Sequence, residues 1–144
     1  MNKNPWFEVK AETEEAAEIL IYGEIGGVSW FEEDTVTARS VRERISKLKG
    51  KKVTARFDTM GGSASQGVSI YNAFKDHGDV DGVVDGIAAS AGSIAFMGCK
   101  TRIVNTGAQL MIHNGSTFAG GDKNEMEKTR KALESFDNSM ADIY

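Results

Sequence analysis

Two periods of apolar spacing alternate along the chain, and the switches between them outline its elements. Glu18-Ile-Leu-Ile-Tyr-Gly23 is a short apolar run closed by glycine and predicts a buried strand. Gly26-Gly27 then marks a loop. From about Thr37 to Leu48, Ala38, Val41, Ile45 and Leu48 recur at steps of 3, 4 and 3, the spacing of one helix face. Asp34 or Thr37 can cap that helix, and Gly50 follows its end. Val53 to Asp58 alternates apolar and polar and predicts a second strand, broken by Gly61-Gly62. Ser63 to Asp76 returns to helical spacing through Ala64, Gly67, Val68 and Tyr71, with Gly78 as its stop. Val80 to Ile87 is a valine-rich strand that passes at once into a small-residue helix start, Ala88-Ala-Ser-Ala-Gly92. Arg102 to Val104 and Gln109 to His113 predict two further strands, split by an Asn105-Thr-Gly107 turn. From Asp122 onward Met126, Thr129, Leu133, Phe136, Met140 and Ile143 form the longest amphipathic stripe in the chain, with Asp122 and Glu125 at a cap-like start. Such a stripe packs on its own domain or on a neighbouring copy.

Strand, helix, strand, helix is the βαβ order, so the expected fold class is α/β with a mostly parallel sheet. Right-handed crossovers place the strand ends Asp58 and Ile87 on one edge of that sheet, the edge where α/β folds carry their sites. No internal repeat, low-complexity tract or linker interrupts the pattern, so residues 1–144 read as a single domain.

Composition narrows the function classes. The chain has 144 residues, 40% apolar and 26% charged, which is globular rather than disordered. No run approaches the roughly 18 apolar residues of a membrane-spanning helix. Met1 to Lys10 lacks the apolar core of an export signal, so a cytoplasmic location is expected. One cysteine, Cys99, and two histidines leave too few ligands for a metal site, and no cofactor is expected. A net charge of −4 argues against nucleic acid as a partner.

Three places can carry chemistry. Ser90 sits where a strand passes into a helix, flanked by alanine and glycine, so a substrate backbone can come close. A helix start also presents free N–H groups and the positive end of a dipole, which suits a developing oxyanion. A serine at such a position most often caps the helix. Ser93, three residues on, reads as packed inside the helix. His113 follows an apolar strand and precedes Asn114-Gly115; it can act as a base or simply bond loop carbonyls. His77 lies beside the stop glycine Gly78, where an imidazole suits the helix C-terminus. Gly61-Gly62 is a turn whose N–H groups can face outward. Serine, then histidine, with a glycine pair ahead of both, is a coherent set for acyl transfer: nucleophile, base, and two oxyanion donors at the N–H of Gly62 and Ala91. Phosphoryl transfer lacks its GxxxxGKS loop.

At these residues the sequence resembles the proteolytic subunit of the Clp protease family, most of all its phage branch, the head maturation (prohead) proteases. The resemblance rests on Tyr22-Gly-Glu-Ile25, Asp58-Thr-Met-Gly-Gly-Ser63 with Ile70-Tyr71 downstream, Gly86-Ile-Ala-Ala-Ser-Ala-Gly92 and Met111-Ile-His-Asn114, in order and spacing together. It implies a crotonase-like ββα superhelix assembled into rings, with sites facing an enclosed chamber. It implies a serine endopeptidase in which Ser90 is the nucleophile, His113 the base, and the N–H groups of Gly62 and Ala91 the oxyanion hole. The substrate would be a polypeptide such as a capsid or scaffold protein, and this chain itself would use no ATP; an ATPase partner is left open. The Asp122 to Tyr144 helix resembles the family's long handle helix, through which rings stack.

Two departures stand out. Met60 occupies the place where the family usually has proline before the glycine pair. The family's third triad member, an aspartate, is expected beyond Tyr144, so the chain reads as a domain lacking its C-terminal part. Asp58 and Asp85 lie near the predicted sheet edge and could stand in, though no motif marks either; Asp137 and Asp142 do not match the position. A catalytically inactive ring-assembly subunit and a crotonase-type acyl-CoA enzyme are the alternative readings. An α/β-hydrolase fits less well, because Ala88-x-Ser90-x-Gly92 only approximates GxSxG. The aromatic pair in Asn4-Pro-Trp-Phe7 could dock on a neighbour.

Overall fold

A computed structural model describes residues 9–26 and 35–144. Asn4 to Phe7, Gly27 and Asp34 therefore lie outside the described residues. The chain forms two compact units, Met1–Ile112 and His113–Tyr144.

Among the described residues the first unit is a seven-stranded sheet with helices. β1 (Val9–Glu12), β2 (Ala16–Ile25), β3 (Thr35–Val36), α1 (Ala38–Lys47), β4 (Lys52–Gly62), α2 (Ala64–His77), β5 (Val80–Ala89), α3 (Ala91–Met97), β6 (Thr101–Val104) and β7 (Gln109–Met111) follow in order. The sheet runs β1-β2-β4-β5-β6, with β3 on β2 and β7 on β5. Only β1 is antiparallel to its neighbour; every other described pairing is parallel. This is the expected α/β class with a mostly parallel sheet.

The pattern of burial follows from strand alternation. In β4 the side chains of Val53, Ala55, Phe57 and Thr59 are buried on one face, while Thr54, Arg56 and Asp58 point to the other. Ile19 and Ile21 of β2 and Val80 and Val84 of β5 join the buried face. Phe57 anchors it, making edge-to-face contacts with Phe74 of α2 at 6.4 Å and Phe96 of α3 at 5.3 Å. The opposite face is polar and half-buried. There Arg56 pairs with Asp85 and Glu18, and Lys52 with Asp81.

Several boundaries differ from the sequence pattern for physical reasons. Thr37 caps α1 with a full capping box to Ser40. β4 does not break at the glycine pair: it continues to Gly62 because Gly61 and Gly62 still pair with Glu24 and Ile25 of β2. β5 runs past Ile87 to Ala89, since β7 supplies it with partners. β7 ends at Met111, so His113 lies two residues past the strand instead of within it. β1 and β3 carry no apolar periodicity of their own and are set by pairing with β2.

The second unit holds α4 (Lys123–Ala141), capped by Asp122, whose carboxylate accepts the N–H groups of Asn124 at 2.8 Å and Glu125 at 3.1 Å. α4 stops at Ala141 with Asp142 at its C-cap, so Ile143 of the expected stripe and Tyr144 lie past the helix, and no residue of α4 is buried. No described helix is long and apolar enough to cross a membrane.

Candidate active site

The carboxyl ends of β4 and β5 converge on Ser90. This residue adopts φ 53°, ψ −122°, the only described non-glycine with positive φ. Such a conformation costs about 1–3 kcal/mol and persists only where the surroundings impose it. Three backbone bonds and one from a side chain do so. The Ser90 N–H donates to the Met111 carbonyl at 2.9 Å. Its own carbonyl accepts the N–H groups of Ser93 at 2.9 Å and Ile94 at 3.2 Å, and the Ser93 hydroxyl at 2.7 Å. Ser93 is fully buried, as its packing role requires. The Ser90 hydroxyl, by contrast, makes no cap bond to α3. Ser90 is thus the N-cap residue of α3 by position, but its side chain does not cap the helix.

Ala91 is the first residue of α3, so its N–H has no carbonyl one turn earlier to bond within the helix. The glycine pair lies directly against it. A Cβ on Gly61 would come within 2.7 Å of Ser90 Cβ and 2.9 Å of the Ala91 nitrogen. Gly61 takes φ +96° and its N–H donates to the buried Thr59 hydroxyl at 3.0 Å. Gly62 takes φ +142° and lies against the Ile25 carbonyl. The structure thus brings Gly61, Gly62, Ser90 and Ala91 to one strand edge. A groove of about 560 Å³ opens over the same ends, walled by Asp58, Met60, Gly61, Gly62 and Ile87. Met60, in the place of the family's proline, is 68% exposed on its rim.

His113 opens the second unit and is exposed. Its loop is anchored two residues on, where the Gly115 N–H donates to Asp137 Oδ1 at 2.7 Å. Asp137 thus has a role in holding that loop which helical spacing alone does not signal. His77 is structural: its Nε2 bonds the Leu48 carbonyl at 3.0 Å, and its Nδ1 faces the Asp79 N–H at 3.4 Å.

Of the two carboxylates near the edge, Asp85 is already occupied. It accepts Arg56 Nε at 2.7 Å, Arg56 Nη2, the Tyr22 hydroxyl at 2.8 Å and Asn105 Nδ2 at 3.1 Å. Burial pushes its carboxyl up, but the hydrogen bonds from Arg56 and Tyr22 outweigh this and hold it below the usual aspartate range. Both oxygens are taken, which removes Asp85 as a stand-in acid for an imidazole. Asp58 lies over Gly86 on the groove wall and has no ion-pair partner among the described residues. Cys99 offers no second nucleophile: burial raises its thiol far above the ordinary range.

A mostly parallel sheet with a strained serine at a strand–helix turn, and a glycine pair pressed against the following N–H, defines a protein of the crossover α/β class. The Clp protease family model matches residues 14–144, and the chain belongs to the Clp protease family, a family of peptidases. No curated protein matches the chain.

Proposed function

We propose that this protein is a serine endopeptidase working through an acyl-enzyme. The observation that carries this reading is the strained Ser90, its backbone held by four hydrogen bonds and its hydroxyl free of any cap role. Ser90 Oγ attacks the scissile carbonyl while His113 takes its proton. The carbonyl oxygen becomes an oxyanion that accepts the N–H groups of Ala91 and Gly62. The C–N bond then breaks, and His113 returns the proton to the leaving amine. Water, deprotonated by His113, attacks the ester; Ser90 leaves and recovers its proton, and the peptide acid is released. The groove beside Gly61 and Gly62 supports an extended polypeptide substrate lying along the strand ends.

The reading extends to assembly and setting. The 19-residue α4, amphipathic and without one buried residue, supports a homo-oligomeric ring, with stacking through this helix. Resemblance to the prohead branch supports capsid or scaffold protein as substrate, processed in the cytoplasm where capsids assemble.

A fluorophosphonate probe, applied to the folded and assembled protein, is expected to label Ser90, and Ser90→Ala to abolish labelling. His113→Ala is expected to slow labelling by about 100-fold or more, the contribution of a general base. Folded, assembled protein that stays unlabelled at Ser90 refutes the reading.

A further inference from the structure

The row of side chains crossing the polar face of the sheet sits at a particular level. Below it the parallel ladders joining β2, β4, β5 and β6 are regular; at it the first two change register and the third ends. β2 and β4 shift between Tyr22 and Glu24. β4 and β5 shift between Phe57 and Thr59, where the partners jump from Val84 to Ala88. On the other side of β5, Val84 pairs with Val104 but Ile87 pairs with Gln109. The edge strand thus carries two residues more than β5 across this step. An even excess keeps the alternation of faces, so β7 resumes pairing with its side chains correctly turned. Ladder bonds do not fix where β7 resumes, because the ladder is interrupted there.

Side chains span the gap. Tyr22 from β2, Arg56 from β4 and Asn105 from the turn before β7 all donate to Asp85 of β5. Asn105 is tied twice more: its N–H donates to the Val84 carbonyl at 3.1 Å, and its carbonyl accepts the Ala108 N–H at 2.9 Å. The excess residues are gathered between Asn105 and Ala108, one residue before β7. The register that follows places Met111 opposite Ala89, and it is the Met111 carbonyl that holds the Ser90 N–H. His113 leaves the strand two residues later.

We propose that Asp85 is a positioning residue, which through Asn105 locks the register of β7 and thereby holds the strained Ser90 turn and sets the departure point of His113. Arg56, which bonds both carboxylate oxygens, keeps the carboxylate aimed at Asn105. The consequence for catalysis rests on the serine-endopeptidase reading; the lock itself does not.

The test uses the full chain and a mild variant, Asn105→Ala, at an exposed turn where the Arg56–Asp85 pair stays intact. Native-state hydrogen exchange of the Ser90 amide is expected to speed up about tenfold, the loss of one hydrogen bond to a charged group, while amides of the β2–β4 ladder keep their protection. Fluorophosphonate labelling of Ser90 is expected to slow by a comparable factor. Tyr22→Phe removes a donor to Asp85 but leaves the Asn105 link, so Ser90 exchange should stay near wild type. Unchanged Ser90 exchange in Asn105→Ala overturns the proposal, as does an equal acceleration in Tyr22→Phe, which would mark general loosening of the sheet. Ser90 exchange that responds to Asn105→Ala in a chain whose wild type is never labelled supports the lock and sinks the peptidase reading.

Discussion

Replacing Gly61 by alanine tests the glycine loop most directly. Gly61 has φ +96°, where an alanine pays a backbone cost of about 1–3 kcal/mol. Its Cβ would also fall 2.6 Å from the Ala89 carbonyl oxygen, 2.7 Å from Ser90 Cβ and 2.9 Å from the Ala91 nitrogen. These are backbone or Cβ atoms of a turn held by four hydrogen bonds, so they cannot swing aside. Overpacking of this kind adds about 1–3 kcal/mol. The expected destabilisation is therefore about 2–6 kcal/mol, a large part of a typical domain's 5–15 kcal/mol. Gly50→Ala is the matched control, because Gly50 has φ +82° with nothing within 4 Å of its Cβ position. It carries the conformational cost alone, about 1–2 kcal/mol. Urea unfolding of both variants, compared at constant slope, isolates the steric part. Ser90 labelling by fluorophosphonate should fall in Gly61→Ala and not in Gly50→Ala. If the two variants unfold within about 0.5 kcal/mol of one another, the close approach of Gly61 to Ser90 and Ala91 is refuted.

Three further outcomes follow from the packing and charge. Phe57→Ala, emptying the centre of the aromatic cluster with Phe74 and Phe96, should cost about 3–5 kcal/mol by calorimetry or denaturant unfolding. Asp85 titrates below its ordinary value in the folded chain, so the unfolded chain binds its proton more readily; the stability it contributes is present above about pH 4 and is lost as pH falls through the depressed value. Asp85→Asn should therefore flatten the loss of stability on acidification, and an unaltered acid profile would contradict the assignment. Asp122→Ala removes the acceptor for two N–H groups at the start of α4 and should cost that helix about 1 kcal/mol, read as faster exchange in its first turn with the first unit unaffected.

Elements and chemistry were legible to different depths. Strands β2, β4 and β5 and helices α1, α2 and α4 follow from periodicity, because each must bury or present one face and the chain writes that face at a spacing of 2 or about 3.6. Gly78 as a stop, Asp122 as a cap and the Asn105–Gly107 turn are local chemistry and were equally readable, while the α1 cap stood open between Asp34 and Thr37 until the structure showed Thr37. The β4 strand end was not. Gly61 and Gly62 carry the local signal of a turn, but pairing with β2 overrides it and keeps both residues in the sheet. The short β1 and β3 likewise exist only through their partners.

The site divides along the same line. Sequence alone marked Ser90, Ala91, Gly62 and His113 as residues of the right type in the right order, because nucleophile, donor and base are properties of side chains and of position in an element. Position alone favoured the cap for Ser90, and only the family resemblance made it the nucleophile. Only the tertiary structure decided against the side-chain cap, through a positive φ at Ser90, whose N–H is held by Met111, a residue brought there by the pairing of β5 with β7. The occupation of Asp85 by donors from β2, β4 and the turn after β6 was invisible for the same reason. Those donors lie 63, 29 and 20 residues away along the chain, and nothing short of the folded sheet brings them to one carboxylate.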